Sequence, residues 1–160
     1  MSRQREEILA DFDALNSSEY DFRLGNYEGQ ERVRQLCDEL LEAPQPELEI
    51  PTLFAVFEGL PDADFGAPGV LVFTIEGMPN YELELVHSIR RKPTYYTVWM
   101  VNRIVNGLSH DGASEEQRAF WLNLMIEAST HPMADEAAKE EAQEFVAFQQ
   151  TCINEQKRGA

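Results

Sequence analysis

The sequence predicts an all-α protein: an irregular multi-helix bundle, or a short stack of antiparallel helical hairpins of the HEAT type. Three observations lead there. Apolar residues recur three and four apart in one segment after another, the spacing of a buried helix face. Prolines and glycines fall between those segments, where they terminate helices. Residues suited to capping helix starts, Asn80, Thr94 and the Ser114/Gln117 pair, stand at several of the junctions. No linker, low-complexity stretch or repeat of fixed period interrupts the chain, so residues 1–160 read as one domain. A domain of this length buries about 70% of the surface its unfolded chain exposes and needs neither disulfide nor metal to hold a core.

In residues 3–15, Ile8, Leu9, Phe12 and Leu15 lie at helical spacing. A turn-rich stretch, 16–26, follows. Residues 28–42 give the cleanest pattern, with Val33, Leu36, Cys37, Leu40 and Leu41 on one stripe. Pro44 and Pro46 break the chain. Leu53, Phe54, Phe57 and Leu60 then predict a short helix over 50–60, before Gly59, Pro61, Gly66 and Pro68 punctuate it. The run 70–75 is β-branched enough for a buried strand. Its helical neighbours, and a proline suited to a first helical turn, favour a short buried helix from about Pro68.

Asn80 reads as an N-cap, with Glu82 in the first turn where the helix dipole favours an acid. Tyr81, Leu85, Val86 and Ile89 form the inner face of that helix. Arg90, Arg91 and Lys92 suit its C-terminal end, and Pro93 closes it. Thr94 caps a helix expected to stop at Asn106, with Gly107 ending it. Ser114 and Gln117 match a capping box for a helix over 115–129. The last helix runs over 134–156, with Ala138, Ala142, Phe145, Val146, Gln149, Cys152 and Ile153 inward.

Charge narrows the function. The chain carries 29 acidic against 13 basic residues, a formal net charge of −16. Nucleic-acid binders display a basic patch, so DNA, RNA and anionic membranes are poor partners. A basic protein surface would be attracted and its encounter accelerated. Solubility alone is the plainer reading of the same charge. The start, MSRQREEILADFDAL, is charged and amphipathic rather than a signal, and no apolar run approaches the ~20 residues of a membrane span. With two cysteines, Cys37 and Cys152, this predicts a cytoplasmic protein with free thiols.

Catalytic and metal motifs do not assemble. His87, His110 and His131 are widely separated. Glu84 precedes His87 by three residues, half of a di-iron helix motif, but the second copy that chemistry needs is missing. There is no G-x-S-x-G elbow, no catalytic cysteine context and no phosphate-binding loop. The expectation is a non-enzyme without cofactor. The acids Asp135, Glu136, Glu140, Glu141 and Glu144 read as the solvated face of the last helix.

Binding candidates cluster in the middle of the chain. On the 94–106 helix, Val98, Met100, Val101, Ile104 and Val105 cover one arc, and Tyr95, Tyr96, Trp99, Asn102, Arg103 and Asn106 the other. Tyr, Trp and Arg are enriched at protein interfaces, which makes Tyr95, Tyr96, Trp99 and Arg103 candidates. The same arc could instead pack on a neighbouring helix. Loop acids beside an apolar centre are the other candidates: Glu58, Asp62 and Asp64, then Glu76, Glu82 and Glu84.

Residues 66–107 read GAPGVLVFTIEGMPNYELELVHSIRRKPTYYTVWMVNRIVNG. Three pieces, GAPGVLVFTIE, the following Y-x-L-x-L-x-x-S-I-R-R-x-P-T, and WMVNRIVN, resemble the central motif of an all-helical family of bacterial immunity proteins. These are encoded beside polymorphic toxins, including those of contact-dependent inhibition and type VI secretion. The resemblance covers about a quarter of the chain, and the flanks match only in being helical and acidic. It implies a cytoplasmic antidote that neutralises a cognate toxin or effector C-terminal domain by stoichiometric occlusion. The acidity would suit a basic toxin that acts on nucleic acid. An adaptor or chaperone for a secreted effector is the second reading, and an unrecognised hydrolase reversing toxin damage the third.

Overall fold

Val33, Leu36, Cys37 and Leu40 line one side of the helix Glu28–Glu42, each at most 3% exposed. It is the second of eight α-helices in a computed structural model that describes residues 3–20, 27–110 and 112–159, among which there is no strand. In chain order they are α1 (Arg5–Asp13), α2 (Glu28–Glu42), α3 (Ile50–Gly59), α4 (Gly69–Glu76), α5 (Tyr81–Arg91), α6 (Tyr95–His110), α7 (Glu115–Ser129) and α8 (Glu136–Arg158). Short 3-10 turns occupy Ser17–Tyr20 and Pro46–Glu49. The expected multi-helix bundle is therefore what forms. Of the turn-rich stretch 16–26, residues 21–26 lie outside the described residues. Contacts divide the chain into two units, Met1–Glu84 and Leu85–Ala160, with the division inside α5.

In the first unit α2 packs against both α1 and α4, and α3 against α1 and α4. Ile8 and Phe12 of α1, Leu53, Phe54 and Phe57 of α3, and Leu71, Val72 and Ile75 of α4 are all buried to within 2%. Phe57 and Phe65 meet edge to face at 5.4 Å, and Phe65 meets Tyr20 the same way at 5.0 Å, the geometry aromatic quadrupoles favour. The ambiguous run 70–75 is helical, as the sequence favours. Burial of Leu71, Val72 and Ile75 outweighs the few tenths of a kcal/mol by which β-branching disfavours helix. The turn before α4 is set by Gly66 and Gly69, at φ 98° and 83°, where a side chain would clash with its own backbone. The Gly66 N–H donates to Asp64 Oδ1 at 2.8 Å, fixing the approach.

In the second unit α6, α7 and α8 pack mutually. Thr94 and Thr97 cap α6 reciprocally: the Thr94 N–H donates to Thr97 Oγ1 at 2.9 Å and the Thr97 N–H to Thr94 Oγ1 at 3.4 Å. Ser114 Oγ accepts from the Gln117 N–H at 3.2 Å, and Asp135 Oδ1 from the Ala138 N–H at 2.8 Å, so α8 begins two residues later than its apolar pattern suggests. The His131 ring ties the α7–α8 turn to the end of α5. Its Nδ1 accepts from the Met133 N–H at 3.1 Å, leaving the proton on Nε2, which donates to the Arg90 carbonyl at 2.9 Å.

Several details differ from the sequence expectation. Gly107 does not end α6, which continues to His110. The glycine with positive φ is Gly112, at 65°. Asn80 directly precedes α5 but sits at φ 60°, the left-handed region asparagine tolerates rather than the extended N-cap form. Leu41 is 49% exposed and leaves the α2 stripe. Leu60, Tyr81, Val86, Phe145 and Val146 are only half-buried.

Two glycines separate close packing from helix propensity. A Cβ on Gly29 would meet the Glu19 carbonyl oxygen and the Tyr20 ring at 2.7 Å, whereas one on Gly107 meets nothing within 4 Å. Gly107→Ala should stabilise by about 0.5–1 kcal/mol. Gly29→Ala, despite the same propensity gain, should destabilise by about 1–3 kcal/mol; urea melts of the two variants check the opposite signs.

Cys37 is fully buried, and burial pushes its thiol from an ordinary 9.0 up to about 11, outweighing a hydrogen bond with Thr74 that acts the other way. Below pH 9 the thiol is protonated whether the chain is folded or not. Between pH 9 and 11 the unfolded chain ionises first, so the native state loses stability as pH rises. The stability advantage of wild type over Cys37→Ala should therefore shrink across that window in denaturant melts at stepped pH.

Candidate functional site

The aromatic and amide arc of α6 is a seam with α8. The Trp99 indole N–H donates to Glu141 Oε1 at 2.8 Å. The Trp99 ring stacks on Tyr95 at 6.1 Å and lies against Phe145 at 6.5 Å. One turn further, the buried Gln149 amide donates to Asn102 Oδ1 at 2.9 Å and to Asn106 Oδ1 at 2.7 Å. Both amide protons are thereby satisfied inside a low-dielectric contact, where an unmet donor is expensive. Of the four α6 candidates, Tyr96 is only 5% exposed and is no surface anchor. Tyr95 and Trp99 are half-buried, and Arg103 is exposed. Glu141, expected on a solvated face with Glu136, Glu140 and Glu144, turns inward to Trp99, while those three remain exposed.

The acidic candidates all belong to the first unit. Glu58, Asp62 and Asp64 lie on one short stretch leaving α3; Glu58 is half-buried and the other two are exposed. The Asp64 carboxylate holds the Gly66 turn, and its carbonyl accepts from the Gln30 side chain at 3.1 Å, so Asp64 shapes the backbone as well as carrying charge. Glu76 is half-buried at the end of α4; Glu82 is exposed and Glu84 half-buried in the first turn of α5.

Charge is distributed unequally. Residues 1–84 contain 19 acids and 5 arginines, a net −14, while residues 85–160 contain 10 acids and 8 basic residues, a net −2. Every described arginine of the first unit pairs with an acid: Arg3 with Asp11 and Glu39, Arg5 with Glu49, Arg32 with Glu19 and Arg34 with Glu31.

Sequence reasoning passed over an apolar groove of about 460 Å³ on this same unit, lined by Arg34 and Leu41 of α2 and by Gly69, Val70, Phe73 and Thr74 of α4. Leu41 is 49% exposed and Phe73 56%. The available signal was that Val70, Leu71, Val72 and Phe73 circle the helix axis, so a helix there leaves some apolar side chain outside. On the second unit, a smaller groove of about 200 Å³ runs between α7 and α8 and mixes Glu115, Arg118 and Lys157 with Leu122 and Ile153.

Tyr20 and Cys37 are both held protonated by burial, the reverse of what a nucleophile needs. Among the described residues no three His, Cys, Asp or Glu side chains come together as a metal site requires, and no helix is long and apolar enough to cross a membrane.

The Gln149 network yields a direct test. Gln149→Leu should destabilise by about 1–3 kcal/mol, because it strands the buried Asn102 acceptor. In a double-mutant cycle with Asn102→Leu, the second substitution should cost markedly less in the Gln149→Leu background than alone; independent effects would remove the hydrogen bond from the account of the seam. No known family, curated protein or solved structure matches the chain.

Proposed function

We propose that this chain is an immunity protein, which binds a cognate bacterial toxin domain one to one and covers its working surface. The observation that carries the reading is the charge asymmetry: a net −14 on the first unit against −2 on the second. A field of that sign draws a positively charged protein in and orients it before contact. The resemblance of residues 66–107 to immunity proteins points to the kind of partner. A toxin acting on nucleic acid needs a positive cleft for phosphate, and such a cleft is complementary to this unit. The antidote would act in the cytoplasm, where the toxin arrives.

The decisive experiment is rescue. Cells expressing the toxin domain encoded beside this gene should survive when the chain is co-expressed, and the two proteins should co-elute at equal molarity. Higher effector yield without rescue would instead mark a chaperone, and rescue at far below equal amounts would mark an enzyme. Steering is tested separately at Asp62 and Glu82, both exposed, leaving Asp64 to hold its turn. Asp62→Lys with Glu82→Lys should slow association by roughly two- to tenfold at low salt, the difference fading as ionic strength rises. An unchanged rate at low salt would sink the steering argument.

A further inference from the structure

We infer that the groove between α2 and α4 is where this protein grips its partner, and that it takes an amphipathic segment carrying apolar side chains flanked by Lys or Arg. The inference rests on the immunity reading and adds the site and the chemistry of the occupant. Three observations converge on it. The groove is open, about 460 Å³, and its floor and walls are apolar at Leu41, Val70 and Phe73. Leu41 and Phe73 are about half exposed, although on their inner sides α2 and α4 bury Leu36, Leu40, Leu71, Val72 and Ile75 almost completely. The third observation is charge. The groove's one cation, Arg34, is paired with Glu31 at 3.8 Å, while Asp38 and Glu42 stand exposed on α2, four residues after Arg34 and one after Leu41. On a helix Arg34 and Asp38 share the outward side with Leu41, and Glu42 lies one turn beyond Asp38.

Apolar anchors set among acids select against two classes of ligand. An acidic or phosphate-bearing partner is repelled by the unit as a whole. A purely apolar one forfeits the charge contacts around the groove. A segment with apolar residues at helical spacing and basic residues beside them meets both demands, as amphipathic helices do when they lie in grooves. Leu41, Val70 and Phe73 would supply the desolvated contact that holds the complex, and Asp38 and Glu42 would set orientation and rate.

The test uses the full chain and a dansyl-labelled synthetic Leu/Lys peptide patterned as an amphipathic helix, with a Leu/Glu peptide of the same pattern as control. Binding of the Leu/Lys peptide should perturb backbone amide shifts in residues 34–42 and 69–76. Leu41→Ser with Phe73→Ser should weaken it at least about tenfold. Both side chains are exposed enough for the variant to keep its melting temperature within a few degrees, which circular dichroism verifies. Asp38→Lys with Glu42→Lys leaves the apolar contacts in place and should weaken binding several-fold at low salt and little at high salt. Perturbations centred elsewhere, equal binding of the Leu/Glu peptide, or a dimer of the chain that forms through these residues would overturn the inference. In cells, a Leu41→Ser/Phe73→Ser chain that still rescues fully would overturn the groove and leave the immunity reading intact. Failure of the wild type to rescue would strike that reading alone, and the peptide shifts would still decide the groove.

Discussion

The first unit must hold 19 acids against 5 arginines in 84 residues, and this self-repulsion is the constraint the rest of its structure answers. Ion pairs answer little of it. The described arginines are all engaged, but their pairs are largely exposed, and exposed pairs contribute at most about 1 kcal/mol each. The counterweight is apolar. Leu40, Leu53, Phe54, Phe57, Leu71 and Ile75 are buried to within 1%, and fully burying side chains of this size contributes about 1.5–3 kcal/mol apiece before chain entropy is subtracted.

The second unit works by different means. Its net charge is near neutral, and its helices are joined by specific polar contacts: Trp99 with Glu141, Gln149 with Asn102 and Asn106, His131 with Arg90 and Met133. A buried amide network of this kind discriminates between helix registers, since a shift of one residue on α8 would strand its donors and acceptors. That occupies much of the aromatic arc of α6 with internal contacts. The proposed partner surface therefore lies on the other unit, where charge is in excess and Leu41 and Phe73 are about half exposed.

The legible part of the sequence was local. Period and punctuation were enough for the eight helices, including the β-branched α4, because burying that run on α2 requires no partner strand. Caps at Thr94 and Ser114 were readable from side-chain chemistry. The turn of α6 beyond Gly107 was not: an exposed glycine without positive φ costs only about 1 kcal/mol in a helix, and nothing local marks that its neighbours absorb it. The fate of Trp99 was equally hidden. Whether an amphipathic arc meets solvent or a second helix depends on the pairing of α6 with α8, more than 40 residues away. The groove escaped for a related reason. Leu41 falls on the α2 stripe by spacing, and only the position of α4 decides that it lies at the rim.

Under the proposed function, charge and groove divide the work of recognition in time. Long-range attraction needs no fit; it raises encounter frequency and biases orientation, and salt screens it within about 8–10 Å. Retention needs the opposite: short-range contact, excluded water and a shape that wrong partners do not share. Acids spread over α2, the loop after α3 and the start of α5 suit the first task, since their summed field is insensitive to any one position. Leu41, Val70 and Phe73 suit the second, because they present apolar area at one place on elements fixed by the core beneath. An immunity protein of the proposed kind would have to arrive before its target does damage and then stay, and a diffuse field beside a localised apolar face on one unit suits both requirements.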